Sequence, residues 1–309
     1  MVPRELWKKA GDIGLLGVNT PEQYGGLGAD VLYAAVTWEE QCYAKGSPTG
    51  PGFGLHSDIV MPYLNHYGTE AQKQKYLPPM CAGDMISAIA MTEPGAGSDA
   101  GSLRTSAVLH GDAYVVNGSK VFISGAGETD VLVVMTRTAD AGPKGVTALL
   151  IPADSEGIEY GKKEHKMGWN AQPTRMITFD GVRVPASNRL GEEGQGFAIA
   201  MEGLDGGRIN IATCSVGTAQ RAIQDATAYV QERKQFDTAI ADFQNTQFRL
   251  ADMLTELVAA RQMIRLAASK LDNKDPQATT YCAMAKRFAT DVGFTVCNDA
   301  LQLLVNQGE

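Results

Sequence analysis

The chain has 309 residues, 44% of them hydrophobic and 20% charged, enough to bury the cores of two or three domains. Its formal net charge of −8 argues against a general nucleic-acid or anionic-membrane surface, while leaving room for a local basic patch. No apolar run reaches the ~20 residues that span a bilayer, and no basic-then-apolar start marks a signal peptide, so neither nucleic acid nor membrane is an expected partner. Cys42, Cys81, Cys214, Cys282 and Cys297 form no C-x-x-C pair, and His56, His66, His110 and His165 have no metal-ligand spacing. Buried free thiols in a reducing compartment, read as the cytoplasm, are expected.

Residues 1–87 read as helical. Pro3 suits a first turn, and Leu6, Ala10, Ile13 and Leu16 follow at helical spacing. A Gly- and Pro-bearing loop at 19–28 precedes helices expected at 31–43 and 70–76. Residues 88–195 read as strands. Tyr114-Val115-Val116, the turn pair Asn117-Gly118 and Val121-Phe122-Ile123 predict a hairpin. Further β-rich runs at 131–136, 146–151 and 175–179 have the spacing of a barrel or sandwich. Residues 196–309 read as long helices. Leu250, Leu257, Ile264 and Leu271 recur every seven residues, with Leu254 and Ala268 on the same face, as in a bundle seam. Asp275-Pro276 reads as the cap and first residue of another helix. The whole is a multi-domain α+β chain.

One loop stands out. Gly95-Ala96-Gly97-Ser98-Asp99-Ala100 fits G-x-G-x-x-A after the apolar run 85–91. A dinucleotide fingerprint needs an amphipathic helix next and an acid about 20 residues on. Here 101–108 are small, polar and strand-like, and Pro94 sits inside the supposed turn. A plain turn and a backbone nest for an anionic or carbonyl-rich ligand both remain open.

Thr92-Glu93-Pro94-Gly95-Ala96-Gly97-Ser98-Asp99 resembles the first signature of the acyl-CoA dehydrogenases, flavoproteins that oxidise acyl-CoA thioesters to the 2,3-enoyl form. Further motifs resemble later parts of the same family, in order. They are Asn117-Gly118-Ser119-Lys120-Val121-Phe122-Ile123-Ser124, Lys166-Met167-Gly168-Trp169, Phe179-Asp180, Gly194-Gln195-Gly196-Phe197, Gly203-Leu204-Asp205 with Arg208, and Glu232-Arg233-Lys234-Gln235-Phe236 with Gln244. The resemblance implies a helical N-terminal domain (1–87), a central β-barrel (88–195) and a C-terminal helical bundle (196–309). It also implies FAD, an acyl-CoA substrate, an electron-transferring flavoprotein as partner, and a homotetramer built as a dimer of dimers. Carried over residue by residue, it implies flavin contacts from Met91, Thr92, Gly97, Ser98, Phe122 and Ser124. It implies contacts to the pyrophosphate and adenosine of a neighbouring subunit's flavin from Arg233, Gln235, Phe236 and Gln244, with Gln302 on the lead-in to a Gly-Gly contact. Ser98, Asp205 and Arg208 fall near the acyl-CoA. Without the motif, Phe122 would read as a core aromatic, Arg233 as a solvated charge, and Asp205 with Arg208 as a helix cap and a surface ion pair.

The chemistry needs a carboxylate base for the α-proton. One branch of the family carries it immediately before the arginine matched by Arg208, where this sequence has Gly207. The other branch carries it in an E-G-T or E-G-S motif near the C-terminus. No catalytic residue is therefore identified within the chain, and the base is expected beyond Glu309. The start, at Pro3-Arg4-Glu5-Leu6-Trp7, resembles a point one helix into the family's first domain, so the sequence reads as trimmed at both ends. Alternatives are a non-catalytic flavin or acyl-CoA module, a pseudoenzyme, and an acyl-CoA oxidase. The segments 124–130, 168–175 and 206–212 resemble the isobutyryl-CoA members of the family, whereas 50–57 with 59–61 resemble long-chain members. A short or branched-chain acyl-CoA is the expected substrate.

Overall fold

The computed structural model describes residues 2–45, 51–140 and 142–305; Gly50 of the segment 50–57, and Glu309, lie outside them. In chain order the first helices are α1 (Arg4–Asp12), α2 (Val31–Tyr43), α3 (Met61–Tyr67) and α4 (Glu70–Cys81). Strands follow: β1 (Ser87–Ala90), β2 (Ser106–His110), β3 (Ala113–Ser124), β4 (Val131–Arg137), β5 (Val146–Pro152), β6 (Ile158–Tyr160), β7 (Thr174–Pro185) and β8 (Arg189–Leu190). Then come α5 (Gly196–Glu232), the short strands β9 (Lys234–Gln235) and β10 (Thr238–Ala239), α6 (Gln244–Asp272) and α7 (Ala278–Leu303). The helical, β, helical order is the one expected. Two compact units form, one from 1–29 with 49–204 and one from 30–48 with 205–309. Among the described residues no helix is long and apolar enough to cross a membrane.

Several local expectations are corrected. α1 stops at Asp12, before Ile13 and Leu16 can join its apolar face; Gly14 takes φ 74°, Ile13 is exposed, and Leu16 is buried outside the helix. Glycine past a helix end accepts the left-handed backbone that stops it. α4 runs on from the expected 70–76 to Cys81, starting from a capping box between Thr69 and Gln72. The helical run from Gly52 through the π-helix Leu55–Val60 into α3 lies in the stretch read as helical, though no separate helix was expected there.

The predicted hairpin at Asn117-Gly118 does not form. β3 passes straight through it as one strand. Gly118 has φ 142°, and a Cβ there would lie 2.7 Å from Thr105 Cα, so glycine serves a close approach and a bulge opposite β7. Asn117 Oδ1 instead accepts from Gly181 N at 2.8 Å. The real hairpin joins β2 to β3 through Gly111-Asp112, with His110 opposite Ala113 and Gly111 at φ 65°.

The strand path is β6-β7-β3-β2-β4-β5-β8, with β1 added parallel to β4. β4 and β5 are buried on both faces, because helices cover one face and the rest of the sheet curls over the other. Val131, Val133, Met135, Ala148 and Leu150 meet Met61, Leu64, Leu77 and Met80 of the helical layer. Leu132, Val134, Leu149 and Ile151 meet Tyr114, Val116, Ile177 and Val182 in the sheet interior. Strands buried on both faces lose polar/apolar alternation, which is why 131–136 and 146–151 are β-rich runs broken only by the buried Thr136 and Thr147.

In the second unit α6 and α7 pack in one core with α5 and Ala35 of α2. Leu257, Ile264 and Ala268 are buried on the expected seam, but Leu254 is exposed and Met253 takes its place. A three-residue step from Leu250 to Met253 and a four-residue step to Leu254 both fit a helical face, and the packing against the neighbouring helices buries Met253. Asp275 does not cap α7 directly: its carboxylate accepts from Gln277 N at 2.8 Å and pairs with Lys270 Nζ at 2.8 Å, and the helix begins at Ala278. All five cysteines are free, four buried and Cys297 partly so.

His56, on the π-helix, is fully buried in the first unit. Its Nδ1 lies 2.8 Å from Ser87 Oγ and accepts from Ser87 N at 3.1 Å, while its Nε2 faces Met80 O at 3.1 Å. The ring therefore ties α4 to β1. Burial pushes the imidazole down from 6.5 to about 4. Between those values the unfolded chain binds the extra proton, so this stability is complete above pH 6.5 and fades as pH falls toward 4. The full loss is roughly 3 kcal/mol. Urea unfolding at pH 7 and pH 5 should show the fall in the parent and a flatter profile in His56→Gln. Identical profiles would refute the assignment.

Candidate functional site

Two segments of the first unit come together as a cradle. The chain leaving β1 runs beside the bulged end of β3. Val121 N donates to Thr92 O at 2.8 Å, and Lys120 Nζ donates to Met91 O at 3.0 Å. Glu93 and Ala96 then close a tight turn, each backbone N–H bonding the other's carbonyl, with Pro94 at its second position. A 3-10 turn, Ala100–Ser102, follows where a dinucleotide fold would place a helix. No residue from 93 to 102 has positive φ, so the alternating handedness of an anion nest is absent as well. The plain turn is what forms.

Buried charge fixes that turn. Lys120 is 0% exposed and its ammonium lies 2.8 Å from Glu93 Oε1, itself on a 7% exposed side chain. Glu93 also accepts from Arg104 N at 2.6 Å and Thr105 N at 2.9 Å. Burial pushes Lys120 down to about 8, against the pull of the carboxylate beside it. Burial also raises Glu93, but the hydrogen bonds from Lys120, Thr105 and Arg104 outweigh it and hold the carboxyl below its usual range. Both groups are charged at neutral pH. Arg137, at the end of β4, holds the far side of the loop through Leu103 O at 2.9 Å and Gly101 O at 2.6 Å. Sequence reasoning assigned no role to Glu93, Lys120 or Arg137. No local pattern marked them: Lys120 follows Asn117-Gly118-Ser119 in its strand, and only the structure shows its ammonium buried with a partner.

The cradle's open face carries the expected flavin contacts. Phe122 is 66% exposed at φ 58°, within the register shift between Lys120 and Ile123, so it is not a core aromatic. Gly97 and Ser98 are exposed, and a Cβ on Gly97 would meet nothing within 4 Å. Met91, Thr92 and Ser124 are half-buried beside them. Among the described residues the hydroxyls of Thr92, Ser98 and Ser124 have no protein partner. A bare aromatic face, unused hydroxyls and open space over glycine fit a flat ring edged with carbonyl and N–H groups. FAD has such a ring.

The other expected contacts lie in the second unit. Arg233, Gln235 and Phe236 are exposed around the β9–β10 turn, and Gln244 is exposed at the first residue of α6. Phe236 at φ 53° and Asp237 at φ 60° form that turn without glycine. Gln302, near the end of α7, lines a groove of about 400 Å³ with Asn245, Phe248, Arg249, Asp252, Asp299 and Leu303. The antiparallel helices thus bring Gln302 to the start of α6, and Arg249 pairs there with Asp299 at 3.2 Å. Asp205 is not a helix cap. It lies within α5, nearly buried, pairing with Arg208 one turn on and accepting from Thr279 Oγ1 at 2.6 Å. Thr279 is a further residue that the sequence did not point to.

Phe236 is 92% exposed in a backbone conformation that L side chains disfavour. The fold gains nothing from the ring. Phe236→Gly should leave thermal stability within about 1 kcal/mol of the parent, because relief of the left-handed backbone offsets glycine's entropy. Flavin content of the purified protein should fall. Lost stability with retained flavin would assign the ring to the fold instead.

Comparison with known proteins agrees with this geometry. Residues 1–84 match the acyl-CoA dehydrogenase N-terminal domain, 88–182 the middle domain and 194–308 the C-terminal domain. The chain is 47% identical over 307 residues to the mitochondrial isobutyryl-CoA dehydrogenase of Dictyostelium discoideum, covering 99% of this chain and 73% of that protein. It is 42% identical to the mitochondrial long-chain specific acyl-CoA dehydrogenase of Rattus norvegicus, covering 98% and 70%. Among solved structures, butyryl-CoA dehydrogenase from Megasphaera elsdenii superposes with a TM-score of 0.93 at 38% identity, covering 98% of this chain and 80% of that one. A chain in a structure described as the electron transferring flavoprotein of Acidaminococcus fermentans superposes with a TM-score of 0.95 at 41% identity, with the same coverage. The chain belongs to the acyl-CoA dehydrogenase family, FAD-dependent flavoprotein oxidoreductases that act on acyl-CoA.

Proposed function

We propose that this chain oxidises a short or branched-chain acyl-CoA, isobutyryl-CoA first among them, to the 2,3-enoyl-CoA. The observation that carries the reading is the cradle of Thr92, Phe122 and Ser124, held open at the mouth of the sheet. Higher identity to the isobutyryl-CoA relative than to the long-chain one supports the chain length. A methylene more or less changes discrimination by only ~1–3 kcal/mol, so pocket shape and not the chemistry decides it.

FAD supplies the acceptor for the hydride that leaves Cβ. Met91, Thr92, Gly97, Ser98, Phe122 and Ser124 bind and orient its ring from one unit. Arg233, Gln235, Phe236 and Gln244 serve the pyrophosphate and adenosine of a neighbouring subunit's flavin in a tetramer, where a guanidinium forks phosphate oxygens well, and Gln302 lies on the lead-in to a further flavin contact. Ser98 and Arg208 face the acyl-CoA, with Asp205 holding Arg208 in place. The α-proton passes to a glutamate of the family's C-terminal branch. Likeness to the Acidaminococcus chain supports an electron-transferring flavoprotein as the electron acceptor. Five free thiols suit the reducing cytoplasm, and the mitochondrial names belong to the relatives.

Holoprotein with that glutamate in place, given isobutyryl-CoA without oxygen, is expected to bleach the flavin's visible band, and faster than with a long-chain acyl-CoA; bleaching by residues 1–309 alone would mean that they hold a base the sequence did not identify. Faster bleaching by the long-chain thioester would overturn the substrate reading. Gly207, buried on α5, occupies the alternative base position. Gly207→Glu should gain substrate-dependent flavin reduction wherever the parent is slow. A flavin-loaded, substrate-binding variant that shows no gain would mean that position 207 does not face Cα.

A further inference from the structure

An ammonium at zero exposure inside a strand is a poor stabiliser. Desolvation offsets most of its attraction to a partner, and apolar replacement of a buried pair is often neutral or stabilising. The geometry around Lys120 suggests what the pair does instead. Lys120 Nζ bonds Met91 O at 3.0 Å and Glu93 Oε1 at 2.8 Å, and the next residue's N–H bonds Thr92 O at 2.8 Å. Three successive residues, 91, 92 and 93, are thus pinned to two, 120 and 121. Glu93 is in turn anchored by Arg104 N and Thr105 N, so it cannot follow the loop if the loop shifts. Phe122 is the next residue after this clamp, and its left-handed backbone turns the ring outward.

We propose that the Glu93–Lys120 pair is a positioning device that fixes the spacing between the two flavin-facing segments, 91–92 and 122–124. The proposal rests on the reading that those segments hold the flavin. A backbone hydrogen bond alone, Val121 N to Thr92 O, would act as a hinge. The ammonium supplies a second point on one side and the carboxylate a third, so the segments cannot rotate about that bond. Because the pair is neutral as a whole, it sets register without placing net charge beside the flavin ring. It touches no substrate atom and is not catalytic.

The test is the double variant E93Q/K120M in the holoprotein, since it leaves no unpaired buried charge. Flavin release on dilution is followed by the recovery of free-flavin fluorescence, beside the visible absorption band and the melting temperature. The expected result is a melting temperature close to the parent's, flavin affinity lower by about tenfold or more, and a shifted band. Parental affinity and band shape would overturn the proposal and leave the pair as a support of the fold alone. Should that double variant fail to fold, E93Q/K120Q, which also leaves no unpaired buried charge, is read in the same way: weakened affinity supports the proposal and parental affinity overturns it. Phe122→Ala separates the two layers of the argument. Weakened affinity in Phe122→Ala with parental affinity in the double variant sinks only the positioning role. Parental affinity in Phe122→Ala sinks the flavin reading and the proposal with it.

Discussion

Double-sided burial of β4 and β5 is the constraint on which the rest of the first unit depends. Two strands with both faces covered must lie between two layers, and the chain supplies one from α3 and α4 and the other from its own curled sheet. Hydrophobic burial is non-directional, so it fixes this layering without fixing where any loop points. The direction comes from β1, which adds parallel to β4 in register from Ser87 opposite Val131 to Ala90 opposite Val134. That pairing delivers Met91 and Thr92 to the end of the sheet, next to the bulged end of β3. The cradle is therefore a consequence of strand register, and its polar locks act only after the core has placed the strands.

Those locks are all of one kind. A charged side chain, buried for Lys120 and Glu93 and partly so for Arg137, gathers backbone groups that a loop would otherwise leave unsatisfied. Lys120 takes Met91 O, Glu93 takes Arg104 N and Thr105 N, and Arg137 takes Leu103 O and Gly101 O. His56 does the same for Ser87 N and Met80 O without charge. A loop held this way can keep small residues on its open face, because none of its rigidity depends on side chains packed there. Gly97 and Ser98 are then free to meet a ligand.

Much of the architecture was legible in the sequence because periodicity reports burial. The helix at 31–43, the seam through Leu257 and Ile264, and the apolar runs of β4 and β5 all follow from which faces are covered. The failures have local causes. Asn117-Gly118 carries the chemistry of a two-residue turn, but the same glycine also permits the close approach to Thr105, and sequence cannot separate the two uses. Leu254 and Met253 are equally apolar, and only the packing geometry selects one. The candidate site was legible through motif resemblance, whereas the residues that hold it were not. Glu93 lies inside the quoted motif and Lys120 inside the next, yet 27 positions of sequence separate partners 2.8 Å apart.

The exposed strained turn at Phe236-Asp237 extends this logic to the second unit. Phe236 holds positive φ in solvent without giving the fold a side-chain contact, and strain of that kind persists where something else requires it. The same turn brings Arg233 and Gln235 to the surface beside it, and the groove at Gln302 opens where α6 begins. Basic, amide and aromatic groups displayed together on rigid helix ends suit a ligand with a phosphate at one end and a flat base at the other. A net charge of −8 is no obstacle to binding such an anion, because these few groups act at contact distance while the excess carboxylates are screened beyond ~10 Å.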